Sequence, residues 1–245
     1  MTGDIQGVLA GRRALVTGAS KGIGRAICNA LVAEGALVTG IARASNELGS
    51  LSAELGPSFD PWLYDVTGED VLARIDAAPA FDLLVNNAGT NRPQPFAEVT
   101  DEALDLMLDL NVRSAFRIAR AAARRMERGA SIIHMTSQMG HVGSPNRTVY
   151  CMTKHALEGL SKAMAVELAP VGIRVNCIAP TFVNTPLTEG MFSDPAFAAF
   201  VDQMIPMGAL ATPEHIAAAV IYLASPSAAM ITGHSLVIDG GWTAQ

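Results

Sequence analysis

Tyr150 and Lys154 stand four residues apart at the end of the run Ser137–Lys154, which reads S-Q-M-G-H-V-G-S-P-N-R-T-V-Y-C-M-T-K. The pattern predicts a helix over Thr148–Ala169, where both side chains project from one face about one turn apart. A free phenol has a pKa of roughly 10 and is a poor base at neutral pH. An ammonium group beside it favours the phenolate and brings it toward the working range of a general acid/base. Ser137 lies thirteen residues before the tyrosine, just after the apolar run Ser131–Met135, which reads as a strand. From a strand's carboxyl end its hydroxyl can hydrogen-bond a substrate oxygen while Tyr150 moves the proton. Taken alone, Y-x-x-x-K also describes a solvated helix face, so the rest of the chain decides.

The first element that must hold this set is Arg13–Thr17, an apolar run ending in Gly18-Ala19-Ser20-Lys21-Gly22-Ile23-Gly24 and followed by a helical pattern over Arg25–Glu34. Strand, glycine turn and helix in this order suit a dinucleotide's pyrophosphate: glycines allow close backbone approach, and the helix start offers free N–H groups to an anion. A second strand, Ala36–Ile41, runs into Ala42-Arg43-Ala44-Ser45, and the first acid is Glu47. An acid at that place holds a ribose 2′-hydroxyl and an arginine suits a 2′-phosphate. Arg43, with Lys21 in the turn, therefore favours NADP, with NAD possible.

A third strand is predicted at Trp62–Val66, where Asp65 can accept from an adenine amino group with Val66 beside the ring, or cap the next helix. The fourth, Phe81–Val85, ends in Asn86-Asn87-Ala88-Gly89, suited to stitching the sheet to a cofactor crevice. Thr100–Arg128 carries one long helical pattern with Asn111 in its middle, read either as a satisfied buried amide or as a helix irregularity that frees a carbonyl for a water. Ile173–Ile178 is the sixth strand. Beyond Pro180, residues 186–212 mix aromatic residues and methionines with prolines, as a lid over a site would, although Met191, Phe192, Phe197, Phe200 and Met204 suit a core or interface equally well. Pro213–Ala224, with Thr212 as N-cap, is a final helix and Ser235–Ile238 a last strand. No repeat, low-complexity segment or linker interrupts residues 1–245, which read as one domain.

Composition excludes several classes. Half the residues are apolar, the net charge is -6, and no run approaches the roughly 18 apolar residues a membrane span needs. The charge argues against nucleic acid as a partner; Arg124, Arg125 and Arg128 read as a solvated helix end. Cys28, Cys151 and Cys177 are odd in number and widely spaced, which suggests free thiols in a reducing compartment. The histidines show no ligand spacing, so no catalytic metal is expected. Met1–Ile5 lacks the basic and apolar segments of a signal peptide, and a cytoplasmic location is expected.

Together, Thr17-Gly18-x-x-x-Gly22-x-Gly24, Asp65-Val66, Asn86-Asn87-Ala88-Gly89, Asn111, Ser137 and Tyr150-x-x-x-Lys154 resemble the motifs of the short-chain dehydrogenase/reductase family over nearly the whole chain. The resemblance implies an α/β Rossmann-type, doubly wound fold: a mainly parallel sheet of seven strands with helices on both faces. It implies a catalytic set of Asn111, Ser137, Tyr150 and Lys154. Tyr150 is then the acid/base, Ser137 orients the reacting oxygen, Lys154 lowers the phenol pKa and binds the nicotinamide ribose, and Asn111 holds a water in the proton relay. Gly18, Ser20, Lys21, Gly22, Ile23, Gly24, Arg43, Asp65, Val66, Asn87, Ala88, Gly89, Pro180 and Thr185 join Tyr150 and Lys154 in the implied cofactor site. Thr181 stands where many relatives have glycine. The family also suggests a homotetramer, with interfaces on the helices around residues 100–128 and 148–169 and on the last strand.

For a small-molecule substrate, Gln138, His141, Asn146 and Arg147 lie between the serine and the tyrosine, and Asn91, Arg92 and Gln94 follow the fourth strand. So many polar groups suit a sugar, polyol or sugar acid, with Arg92 or Arg147 for a carboxylate, as in a gluconate 5-dehydrogenase; solvated loops would read the same way. The alternative is a 3-oxoacyl-[acyl-carrier-protein] reductase, which should offer basic surface to its acidic partner. Pro170-Val171-Gly172, before the sixth strand, supplies none. A non-catalytic dinucleotide sensor or scaffold would not need the serine, tyrosine and lysine together.

Overall fold

The computed structural model describes residues 7–43, 46–185, 188 and 190–245, with the backbone alone for Met191 and Ser193. The strands are β1 (Arg13–Thr17), β2 (Leu37–Ala42), β3 (Phe59–Leu63), β4 (Leu83–Asn86), β5 (Ser131–Met135), β6 (Arg174–Pro180) and β7 (Ser235–Ile238). They form one sheet in the order β3-β2-β1-β4-β5-β6-β7. Every pairing is parallel, so the sheet is wholly rather than mainly parallel.

Its inner strands are near-continuous apolar runs because a parallel sheet is covered on both faces. Along β1, Ala14 and Val16 face a core shared with Ile27, Leu31, Ile216 and Val220, while Leu15 points to the opposite core with Leu84, Ile118 and Val175. The first core belongs to helices α1 (Gly22–Ala33) and α8 (Pro213–Ala224), and the second to α3 (Asp70–Ala77), α5 (Ser114–Ala123) and α6 (Thr148–Leu168). The helices α2 (Asn46–Leu55), α4 (Asp101–Leu108) and α7 (Pro195–Met204) complete the set described.

From β1 the order runs outward through β2 and β3 on one side and through β4 to β7 on the other. Neighbouring connections therefore leave the carboxyl ends of β1 and β4 in opposite directions and open a crevice there, the usual ligand position of such a sheet. Thr17, Asn86, Met135 and Pro180 all end strands at this edge.

Two elements differ from expectation. The third strand lies at Phe59–Leu63, earlier than Trp62–Val66, and Pro61 is tolerated because this strand forms the sheet's edge. Asp65 and Val66 thus fall in the turn beyond it. The helix predicted over residues 100–128 is interrupted: between α4 and α5 the chain makes a wide π turn at Asp109–Arg113, centred on Asn111.

Of the expected lid, Pro186, Leu187 and Glu189 lie outside the described residues, as do Ala44, Ser45 and the N-terminal Met1–Gln6. Within it, Val201 and Ile205 pack on Trp242 with Phe182, Phe192, Phe197, Met204 and Leu210 as a separate small core. Phe200 meets the Trp242 ring edge-on at 5.7 Å. The apolar residues of this segment hold it to the C-terminal turn.

Candidate active site

The glycine turn has the shape a dinucleotide requires. Gly18 has φ 68°, and a Cβ at Gly24 would fall 2.0 Å from the Gly18 carbonyl oxygen, so only glycine fits at 24. Lys21, the N-cap of α1, is exposed and accepts no side-chain capping bond, which leaves the first amides of the helix free for an anion. Asn87 fastens this turn to β4: its Nδ2 donates to the Thr17 carbonyl at 3.0 Å and the Gly18 carbonyl at 3.3 Å. The Thr17 hydroxyl accepts from Asn87 and Ala88 N–H, each at 3.0 Å. Thr185 reaches the same turn, its Cγ2 lying 3.6 Å from where a Gly22 Cβ would be.

Arg43 is exposed at the end of β2. Asp65 spends one carboxylate oxygen on the N–H and hydroxyl of Thr67, at 2.9 and 2.7 Å. These bonds hold its pKa below the usual carboxylate range, and the charge of Arg43 adds a smaller pull. The two residues thus face one region, where an adenosine carrying a 2′-phosphate fits Arg43. The uncapped helix start, the glycine cradle and Arg43 together fit NADP. When bound, this cofactor supplies hydride to or from a carbon.

At the centre of the crevice, Asn111 is buried and paired with Thr90. Its Nδ2 donates to the Thr90 carbonyl at 2.9 Å and to the Thr153 hydroxyl at 3.1 Å, while its Oδ1 accepts from the Thr90 N–H at 2.8 Å. A Cβ at Gly89 would stand 3.2 Å from Asn111 Oδ1 and 3.8 Å from Lys154 Nζ, so Gly89, Asn111 and Lys154 meet at one point. Both sequence readings of Asn111 are realised in part: the amide is buried and bonded, and the helix is irregular around it.

Ser137 caps a short 3₁₀ turn, Gln138–Gly140, accepting from the Met139 N–H at 3.2 Å and donating to the Pro180 carbonyl at 3.3 Å. Tyr150 is coupled to it. Burial pushes the Tyr150 phenol up to about 12, opposed first by a hydrogen bond with Ser137 and then by the charge of Arg147. The ammonium of Lys154 lies over the face of the tyrosine ring, 5.4 Å from its centroid, and donates to the Met135 carbonyl at 2.8 Å. Burial draws the Lys154 pKa down to about 8.

This departs from the expectation that Lys154 lowers the phenol. The ammonium sits at the ring face and is committed to a carbonyl, while desolvation dominates at the hydroxyl. A phenol held neutral at pH 7 is a proton donor.

The proposed substrate residues separate into two groups. His141 Nε2 is engaged by Ser235 Oγ at 3.0 Å and Glu158 Oε1 at 3.3 Å, so that nitrogen belongs to the fold rather than to a substrate. Arg92 is exposed. Gln138 Oε1, Arg147 Nε, Asn91 Oδ1, Gln94 Oε1 and Thr181 Oγ1 are buried and have no hydrogen-bond partner among the described residues. Each sits on a segment bordering Ser137 or Tyr150. Asn146, at φ 59°, turns the chain into α6, and its carbonyl accepts from the Gln94 N–H at 3.1 Å, joining two of these segments.

Sequence reasoning missed Thr90, Thr136, His134 and Glu158. Glu158 was within reach, since it continues the Tyr150–Lys154 face one turn further along α6. Among the described residues no group of His, Cys, Asp and Glu is placed to hold a metal ion.

The sequence model of the family described as enoyl-(acyl carrier protein) reductase matches residues 18–243. The chain belongs to the short-chain dehydrogenase/reductase family. As a short-chain dehydrogenase/reductase it is an NAD(P)-dependent oxidoreductase. It is 42% identical over 240 residues to an L-xylulose reductase of Bos taurus, covering 96% of this chain and 98% of that one. A D-erythrulose reductase of Gallus gallus is 42% identical over 236 residues, covering 95% and 96%. A gluconate 5-dehydrogenase of Burkholderia cenocepacia J2315, solved in complex with NADP and tartrate, superimposes with a TM-score of 0.91 at 30% identity and 97% coverage of each chain.

Proposed function

We propose that this short-chain dehydrogenase/reductase uses NADP(H) to interconvert a ketone and a secondary alcohol on a sugar, polyol or sugar acid. The observation that carries the reading is the set of buried polar atoms without a hydrogen-bond partner among the described residues on Gln138 and Arg147, between Ser137 and Tyr150 in the chain, and on Asn91, Gln94 and Thr181. Buried polar atoms without partners are costly in an empty crevice and are satisfied by a ligand rich in hydroxyls. The names of the ketose and sugar-acid relatives support the same class.

In reduction, the Ser137 hydroxyl orients the carbonyl oxygen and the Tyr150 phenol gives that oxygen its proton; NADPH, when bound, would supply the hydride to the carbon. Lys154 would hold the nicotinamide ribose, and Asn111 fixes the loop that carries Thr90, with the π turn leaving room for a water in the relay. Residues 190–212, packed on the small core around Trp242, act as the described part of the lid.

The test is a screen of NADPH and NADH oxidation against neutral ketoses, keto-aldonates, simple ketones and 3-oxoacyl thioesters. NADPH-linked reduction of a polyhydroxylated ketone is expected. Turnover of the thioesters alone would overturn the reading in favour of an acyl-carrier substrate.

We further propose a homotetramer. Leu106, Phe116, Met152 and Val166 on α4, α5 and α6, Tyr222 on α8, Met230, and Val237 on β7 are exposed apolar side chains that assembly would cover. Light scattering on the purified protein should give four times the chain mass; a monomer would contradict it. The three buried free thiols suit the reducing cytoplasm.

A further inference from the structure

Glu158 is a buried acid on α6, one turn beyond Lys154. Three groups converge on a single carboxylate oxygen, Oε1: the Thr136 hydroxyl at 2.6 Å, the Ser235 hydroxyl at 2.9 Å and His141 Nε2 at 3.3 Å. Thr136 and His141 bracket Ser137 in the chain. The 3₁₀ turn between them presses on the same stretch of helix: a Cβ at Gly140 would lie 3.2 Å from both Glu158 Cγ and the Lys154 carbonyl. One carboxylate therefore pins both ends of the serine-bearing segment to the helix that carries Tyr150 and Lys154.

We infer that Glu158 is a positioning residue that sets the distance between the Ser137 and Tyr150 hydroxyls by clamping residues 136–141 onto α6. The inference rests on the roles given to Ser137 and Tyr150 above. Two hydroxyl donors meet on this one oxygen with His141 Nε2 beside it, an arrangement a carboxylate holds more strongly than an amide. The charged and titratable groups around the carboxylate are Lys154 on its own helix, His141 from the 3₁₀ turn and Cys177 from β6. Glu158 also helps keep Lys154 protonated, partly offsetting its burial.

The experiment is a double-mutant cycle read by steady-state kinetics and NADPH binding. Displacing a catalytic hydroxyl by about 1 Å costs on the order of 10²-fold in rate. Glu158→Ala is expected to lower kcat about 10- to 100-fold with NADPH affinity unchanged, and to cost nothing further when Ser137 is already alanine. Glu158→Gln should fall in between. Thr136→Val, which keeps side-chain volume, should lower kcat in the same direction and serves if Glu158→Ala does not fold.

Wild-type kcat in Glu158→Ala or in Thr136→Val would overturn the inference. So would losses that multiply with Ser137→Ala or that extend equally to NADPH affinity, since both mark a general structural role. Full activity of Ser137→Ala alone would instead overturn the reading of the site on which the clamp depends.

Discussion

Thr90 and Asn111 hold each other by a reciprocal pair of hydrogen bonds: the Thr90 N–H donates to Asn111 Oδ1 at 2.8 Å, and Asn111 Nδ2 donates back to the Thr90 carbonyl at 2.9 Å. The pair joins the loop after β4 to the π turn between α4 and α5. An amide side chain is needed because it offers a donor and an acceptor side by side. Asn111→Leu leaves both backbone groups of Thr90 without their partner, a cost of roughly 1–3 kcal/mol for each buried group. We expect a lower midpoint in urea unfolding and a fall in kcat. Asn111→Asp keeps the acceptor and should lose less stability. Equal stability of Asn111→Leu and the parent would contradict the assignment.

His134, fully buried on β5, should make the fold sensitive to acid. Asn86 Nδ2 lies 3.3 Å from its Nδ1, which therefore accepts, so the ring proton belongs on Nε2, which has no hydrogen-bond partner among the described residues. Burial lowers the His134 pKa from 6.5 to about 4, with the charge of Lys154 adding to it. Below pH 6.5 the unfolded chain takes up a proton that the folded chain refuses, so stability falls as pH drops from 6.5 to about 4 and levels off beneath that. Replacing His134 by Asn should flatten that window in denaturant titrations. An unchanged pH slope would show that other groups govern it.

Arg43 should decide between the cofactors. A guanidinium meets a phosphate by charge-assisted bonds that it cannot make to a hydroxyl. Arg43→Ala is expected to raise KM for NADPH about tenfold or more and leave KM for NADH nearly unchanged. A parallel rise for both would place Arg43 in general binding.

The direction of catalysis should leave a mark on pH profiles. With the Tyr150 phenol held at about 12, the proton needed for ketone reduction is in place at neutral pH, whereas alcohol oxidation needs the phenolate. Oxidation should therefore climb with pH well past neutrality while reduction does not, measured with the same substrate pair. Parallel profiles would contradict a protonated Tyr150 as the starting state.

Much of this site is legible in the chain because the residues that touch a dinucleotide sit at strand ends and in glycine turns, where local sequence dictates backbone shape. Gly18, Gly24, Asn87 and the Tyr150–Lys154 pair are of this kind. The π turn at Asp109–Arg113 is less so, since a helical pattern reads through it and only the misplaced Asn111 hints at a break. The edge strand β3 was displaced because Trp62, Leu63 and Tyr64 look strand-like, while pairing to β2 selects Phe59–Leu63. The engagement of His141 Nε2 is not legible in the chain because its partners, Ser235 and Glu158, come from β7 and α6, brought together by the sheet order rather than by spacing. The desolvation of Tyr150 is hidden for a similar reason: proximity along a helix does not say how deeply the phenol is buried.

Tyr150 is assigned the proton of ketone reduction, and the most direct test is Tyr150→Phe with the best ketone substrate and NADPH. The substitution removes one hydroxyl and leaves the ring against Lys154. Loss of general-acid catalysis should lower kcat about 10²–10⁴-fold, with NADPH affinity close to that of the parent. A variant that still reduces the ketone at near the parent rate would contradict it.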